Sequence, residues 1–283
     1  MIELRNISYS YTANSSENTV AVKNVNLKID KGEFIGIAGH TGSGKTTVAQ
    51  IIAGLINPTE GSILIDGEEY TDFKLAAREL RRKVGIVFQY PEHQLFEETV
   101  YRDIAFGPKN KGLSEDEVDK LVRESAKLAH LKDELFDKSP FELSGGQKRR
   151  VAIAGVVATA PEVLILDEPA AGLDPFGRER LLGELRRIRK EYKTTIILIS
   201  HSMEDLARNA ERIVLLKDGE KLRDDLTGEI FAHSDILEKC GLDLPEITRV
   251  IKILNDNGMN IPQNIFTVED ACEAICKSMG VEK

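Results

Sequence analysis

Residues 39–47 read Gly39-His40-Thr41-Gly42-Ser43-Gly44-Lys45-Thr46-Thr47, and this stretch decides the fold. An apolar run, Phe34-Ile35-Gly36-Ile37-Ala38, precedes it and reads as a strand. Thr47–Ala53 follows and reads as a helix. The spacing is G-x-x-x-x-G-K-T, a phosphate-binding loop. Phosphates carry several negative charges, and a turn lined by ordinary side chains would hold them too far away. Glycines let successive backbone N–H groups point into one concavity, and the next helix adds the positive end of its dipole. Lys45 is expected to reach the β- and γ-phosphates as a point charge, and Thr46 to offer its hydroxyl to Mg²⁺. All nine residues, 39–47, are candidate nucleotide contacts.

A second signal supports the first. Val163-Leu164-Ile165-Leu166-Asp167-Glu168 is a buried-strand pattern ending in two carboxylates. Ligands collect at the carboxyl ends of parallel strands. Asp167 is expected to hold Mg²⁺, directly or through water, and Glu168 to act as general base toward an attacking water.

The rest of the chain alternates short apolar strands with longer helical patterns. Strand runs are Ile35–Ala38, Val84–Phe88, Val163–Leu166, Thr195–Ile199 and Ile213–Leu216; helical periodicity appears at Thr46–Ala53, Glu115–Ala129, Gln147–Ala158, Gly177–Lys190 and Met203–Asn209. This predicts an α/β fold with a mostly parallel core sheet. Ile2–Leu4 and the alternation Val20, Val22, Val25, Leu27, Ile29 predict antiparallel strands against the edge of that sheet, and Ile63–Gly67 another hairpin arm. Residues from about 92 to 160 read as a helical insertion, with Ser114 and Glu117 forming a capping box. Residues 224–283 read as a small, mainly helical unit, with Pro245 and Thr267 at helix starts and Gly258 and Gly280 at helix ends.

Composition narrows the function. The formal net charge is −9 over 283 residues, which argues against nucleic acid as a partner, because phosphate contacts need a basic face. Residues 224–283 hold five basic and twelve acidic side chains, so the tail carries most of that excess. No secretory leader is visible in the first residues, and no window approaches the roughly 18–20 apolar residues of a membrane span. The chain alone is expected to be soluble. Cys240, Cys272 and Cys276 make no disulfide framework; Cys272 and Cys276 could share a helix face as half-buried thiols or as a metal pair.

The motif Leu143-Ser144-Gly145-Gly146-Gln147 carries a resemblance. Here the chain resembles the ATP-binding cassette (ABC) family, whose signature this is. The resemblance covers residues 1 to about 223 and implies a P-loop NTPase cassette with a helical subdomain. In that family the signature helix aims its N-terminus at the γ-phosphate of a nucleotide held by another subunit, so Ser144, Gly145, Gly146 and Gln147 would complete a partner's site. Tyr11 occupies the place of the aromatic that stacks on adenine, with Tyr9 as a competitor. Gln89 matches the glutamine that senses Mg²⁺ and water, Asp174 the loop crossing between cassettes, and His201 the histidine at the γ-phosphate. Ala170 stands where many members have Thr.

The segment Phe88-Gln89-Tyr90-Pro91-Glu92-His93-Gln94-Leu95-Phe96, with His40-Thr41 and Ala171-Gly172-Leu173-Asp174-Pro175, looks like the ATPase subunit of energy-coupling-factor (ECF) transporters, of the second of that family's two types. The tail beginning Gly241-Leu242-Asp243-Leu244-Pro245 is similar to the C-terminal dimerisation domain of those subunits. The resemblance implies ATP and Mg²⁺, a second ABC ATPase subunit, a transmembrane coupling protein and a substrate-capture membrane protein for a vitamin or for Co or Ni ions. It also implies a peripheral location on the cytoplasmic face of the cell membrane. Tyr90, Leu95 and Phe96 would line a groove for a coupling helix or pack within the helical insertion. Another ABC transporter, or a non-transport ABC scaffold on ribosomes or DNA, is the rival reading.

Overall fold

Strands that are apolar on both faces need cover on both faces, and Phe34–Ala38, Val163–Asp167 and Thr195–Ile199 are buried along their whole length. The computed structural model, which describes residues 1–12, 18–262 and 264–280, puts them at the centre of a six-stranded sheet. The chain opens with β1 (Ile2–Thr12), β2 (Asn18–Ile29) and β3 (Phe34–Ala38), then α1 (Lys45–Ile52), β4 (Glu60–Ile65), β5 (Glu68–Tyr70), α2 (Phe73–Lys83) and β6 (Val84–Val87). A helical stretch follows: α3 (Val100–Asn110), α4 (Glu115–Leu128) and α5 (Gly145–Val157). The core resumes with β7 (Val163–Asp167), α6 (Pro175–Tyr192), β8 (Thr195–Ile199), α7 (Met203–Asn209), β9 (Arg212–Lys217) and β10 (Glu220–Leu226). Four helices close the chain: α8 (Thr227–Ala232), α9 (Ser234–Lys239), α10 (Glu246–Asp256) and α11 (Val268–Ser278).

The six-stranded sheet runs β10-β9-β3-β8-β7-β6 and is parallel except at the β9–β10 edge. Alternation along its strands splits the core in two. Ile35, Ile37, Ile165, Ile197 and Ile199 face α1 and the strands β1, β2 and β4. Phe34, Leu164, Leu166, Ile196 and Leu198 face α6, α7 and the start of the C-terminal region.

The N-terminal strands expected at the edge of the parallel sheet form instead a separate antiparallel sheet, β2-β1-β4-β5, packed on its face. β1 is paired on both sides, by β2 and β4, so its free apolar face, not its edge, meets the core. The antiparallel edge of the core sheet is β10, which runs through residues 223 and 224. The β4–β5 hairpin turns on Asp66 and Gly67, both with positive φ, as a tight two-residue turn requires.

Four helices were not visible as periodic runs. α2 is rich in Arg and Lys and buries only Ala76, Ala77 and Leu80. α3 carries Pro108 inside it. α8 and α9 have six residues each, too short for a 3.6-residue period to declare itself. α3, α4 and α5 share a core of their own, around Val100, Ile104, Val118, Val122 and Val151. α10 and α11 share a small one around Ile251, Ile261, Ile265 and Ala271.

Candidate active site

The loop between β3 and α1 wraps tightly on its neighbours. A Cβ on Gly39 would lie 2.2 Å from the Leu216 carbonyl oxygen, and one on Gly44 2.6 Å from that of Ala21. Gly44, at φ 98°, is the residue before α1 and has no side chain to cap it, and the first turn of α1 has no acidic residue. Six of the other long helices are capped by side chains, α2 by Asp72, α3 by Thr99, α4 by Ser114, α5 by Ser144, α6 by Asp174 and α11 by Thr267, whereas α10, which starts after Pro245, is not. The first-turn amides of α1 are thus left for an anion. Ser43 Oγ, fully buried in the same loop, has no hydrogen-bond partner among the described residues.

Lys45 Nζ donates to the carbonyls of Gly39 (2.7 Å) and His40 (2.9 Å), folded over its own loop. Burial lowers its pKa, against the pull of Glu168 and Asp167. Thr46 Oγ1 donates to Asp167 Oδ2 at 2.7 Å. Burial raises the Asp167 carboxyl, opposed by the Thr46 bond and the Lys45 charge. A hydroxyl and a carboxylate so placed are hard oxygen donors, and Gln89 adds an amide to the same cleft. Among the described residues no group of three or more His, Cys, Asp or Glu could hold a metal. The hydroxyl, carboxylate and amide oxygens of Thr46, Asp167 and Gln89 fit Mg²⁺, which keeps water and phosphate oxygens in its shell. Cys272 is exposed and Cys276 half-buried on α11, with no such group around them.

Glu168 sits just beyond β7 at φ 49°, its N–H bound to the Ile199 carbonyl. Its Oε1 accepts the His201 backbone N–H at 2.8 Å and lies 2.8 Å from His201 Nδ1. The His201 side chain is 76% exposed and that of Glu168 16%. His40 Nε2 approaches Asp218 Oδ1 at 3.3 Å. Gly39, His40, Thr41, Gly42, Lys45, Thr46, Gln89, Asp167, Glu168 and His201 all line one cleft of about 920 Å³.

Several expected residues lie elsewhere. Tyr11 is exposed and places its hydroxyl 3.3 Å from Thr47 Oγ1, while Tyr9 packs on the core with its ring edge-on to Tyr11 at 4.9 Å. Ser144 and Gln147 cap each other at the start of α5. Ser144, Gly145 and Gly146 are exposed, and a Cβ on either glycine would meet nothing within 4 Å among the described residues. Asp174 is exposed and accepts the Gly177 N–H at 2.8 Å. None of these lines the cleft.

The cleft has a wall that sequence reasoning did not assign to it: Met203 and Glu204, then Gly241, Leu242, Asp243, Leu244, Glu246 and Arg249. Met203 and Glu204 follow His201 closely, a usable signal. The tail residues carry no motif that points to phosphate.

The ABC transporter family profile matches residues 22–171. The chain is 51% identical over 283 residues to the energy-coupling factor transporter ATP-binding protein EcfA2 of Clostridium acetobutylicum, covering 100% of this chain and 99% of that protein. It is 49% identical over 275 residues to EcfA2 of Clostridium perfringens, covering 97% and 96%. Among solved structures it is similar to CbiO1 of Clostridium perfringens, described as part of the ABC transporter complex CbiONQ (TM-score 0.73, 37% identity, covering 89% of this chain and 98% of that one). It is also similar to the cassette MJ0796 in a dimeric post-hydrolysis state bound to ADP and phosphate (TM-score 0.72, 35% identity, covering 80% and 99%).

Proposed function

Because the chain belongs to the ABC transporter family, and within it to the ATP-binding proteins of energy-coupling factor transporters, we propose that it hydrolyses ATP as one of a pair of cassettes and so energises an importer of a vitamin or a transition-metal ion such as Co or Ni. It works from the cytoplasmic face of the cell membrane. Among the described residues no helix is long and apolar enough to cross a membrane; on this reading, transmembrane coupling and substrate capture belong to partner proteins.

Residues 39–47 cradle the phosphates, with Lys45 leaving its two carbonyls for the β- and γ-phosphates. Tyr11, exposed beside Thr47, takes the adenine, and Tyr9 serves the core. Thr46, Asp167 and Gln89 hold Mg²⁺, which supplies charge neutralisation at the phosphate oxygens. Glu168 takes the proton of a water attacking in line; His201 holds one carboxylate oxygen in place and faces the γ-phosphate. Residues 1–223 form the nucleotide-binding unit, with its helical subdomain at about 92–160, and 224–283 the dimerisation unit.

One observation carries the paired mechanism. The cleft gathers the loop, the two carboxylates, Gln89 and His201, yet the signature residues stay outside it, exposed. Nothing within 4 Å of Gly145 or Gly146 requires a glycine. A second subunit approaching that surface closely supplies the requirement.

Gentle detergent extraction of cells making an affinity-tagged chain tests this reading. The expected co-purifying set is a second cassette and two integral membrane proteins. Recovery of the chain alone, or with ribosomes, would contradict it.

A further inference from the structure

Three segments of the site are spaced along the chain: the loop after β6 that carries Gln89, the turn after β7 that carries Glu168 and leads to Asp174, and α5, whose start is the signature. One side chain touches all three. Arg149, on the second turn of α5, is buried, with 8% of its side chain exposed. Its Nε donates to Glu92 Oε2 at 3.1 Å and its Nη2 to Glu92 Oε1 at 3.0 Å. Its Nη1 donates to the carbonyls of Ala171 at 2.8 Å and Pro169 at 3.3 Å.

Each contact reaches a different segment of the site. Glu92 belongs to the 3₁₀ turn Pro91–Gln94, three residues beyond Gln89 and between exposed Tyr90 and Phe96. Pro169 and Ala171 bracket the turn that leaves Glu168, where the Ala171 N–H bonds back to the Glu168 carbonyl. Burial works to raise the Glu92 carboxyl, but the Arg149 fork and a backbone bond outweigh it and hold Glu92 below its ordinary range. A buried ion pair is weak evidence for added stability, and its better-attested use is to fix one arrangement among several. A planar fork does this where a lysine, as a point charge, cannot.

We propose that Arg149 is a positioning residue for hydrolysis: with Glu92 it locks the Gln89 loop, the Glu168 turn and the signature helix into one body, so that a push on Tyr90 or Phe96 from the membrane side moves the general base and the signature together. The inference rests on the ATPase reading above. Arg149 reaches no reacting atom; it acts through the segments it holds.

The test uses the full chain in its purified transporter complex, with Glu92→Gln and Arg149→Lys as the variants. A bare apolar replacement of Arg149 can fail to fold, whereas these two keep the volume and part of the bonding. Melting temperature, MgATP affinity of the isolated chain, and the kcat and KM of the complex are measured. The expected result is normal complex assembly, MgATP affinity and KM within about twofold, and kcat lower by roughly 10- to 100-fold. The double variant should lose little more than the worse single one, since both break the same tie. Variants that fold, assemble and turn over at the wild-type kcat overturn the positioning role. So does a loss of kcat that only tracks the loss of assembled complex. A wild-type complex without ATPase activity overturns the underlying reading, and this inference with it.

Discussion

Glu168 holds a left-handed backbone angle that side chains other than glycine seldom adopt, a cost of order 1–3 kcal/mol accepted mainly where a site requires it. The His201 backbone N–H donates to Oε1, which also lies 2.8 Å from His201 Nδ1; Oε2 has no partner among the described residues. Glu168→Gln keeps the shape and removes the base. It should lower turnover in the assembled transporter by roughly 10²–10⁴-fold while MgATP binding, followed by calorimetry, stays intact. Near-normal hydrolysis by that variant refutes the role. Glycines separate two kinds of demand. Gly39→Ala puts a methyl group 2.2 Å from the Leu216 carbonyl oxygen and should cost both fold stability and nucleotide affinity. Gly145→Ala meets nothing within 4 Å among the described residues; the isolated variant should melt no lower than wild type and bind MgATP equally, yet hydrolyse little once paired. A Gly145→Ala chain with full paired activity would contradict the role given to the signature. At this scale the sequence was readable because Lys45, Asp167 and Glu168 stand at strand ends whose apolar runs are unmistakable. The Glu168–His201 contact spans 33 residues of chain, and no local pattern encodes it. Nothing in the sequence sets Arg149 apart from Arg150; its burial and its bonds to Glu92, Pro169 and Ala171 do.

At the scale of elements, α5 and α6 meet through a charged cluster. Glu184 of α6 faces His130, beyond the end of α4, Arg150 of α5, and Arg180 and Arg187 of its own helix. Its Oε1 lies 3.3 Å from His130 Nε2 and 3.5 Å from Arg180 Nε but makes no hydrogen bond among the described residues. Burial pushes its carboxyl up to about 7, against the pull of Arg180, Arg150 and Arg187. The folded value exceeds the unfolded one, so this stabilisation is complete below the ordinary carboxylate range near ~4.3 and lost as pH rises through about 7. Glu184→Gln stays neutral throughout. The stability of wild type relative to that variant should therefore fall, by on the order of 2–3 kcal/mol, between about pH 4.5 and 7.5. Urea midpoints at the two pH values measure it, and parallel pH curves for the two proteins would refute it. Elements with long apolar periods, such as α4 and β8, were legible within a residue or two. α2 was not, because its buried stripe is thin, and α3 was not, because Pro108 interrupts its pattern. The separate N-terminal sheet was not, because alternation tells which face is buried but not what buries it.

At the scale of the molecule, the acidic tail joins the body through Phe231, Leu237, Cys240 and Leu242, which share the core of α6 and α7. It then lays Gly241–Leu244 and Arg249 along the cleft. Neither contact could be read from the sequence, since both depend on how the chain returns over β9 and β10. The cleft gathers Lys45, Thr46, Asp167 and Glu168, while the signature residues Ser144, Gly145 and Gly146 are exposed and do not line it. On the paired mechanism proposed above, one chain would carry two halves of two different sites. The most direct measurement is phosphate release per chain, taken together with mass photometry on the same sample. Chains shown to be unpaired should release phosphate at least about 10²-fold more slowly than chains in the assembled complex, in line with the loss of a transition-state donor set. Unpaired chains that release phosphate at the full rate of the complex would contradict the account.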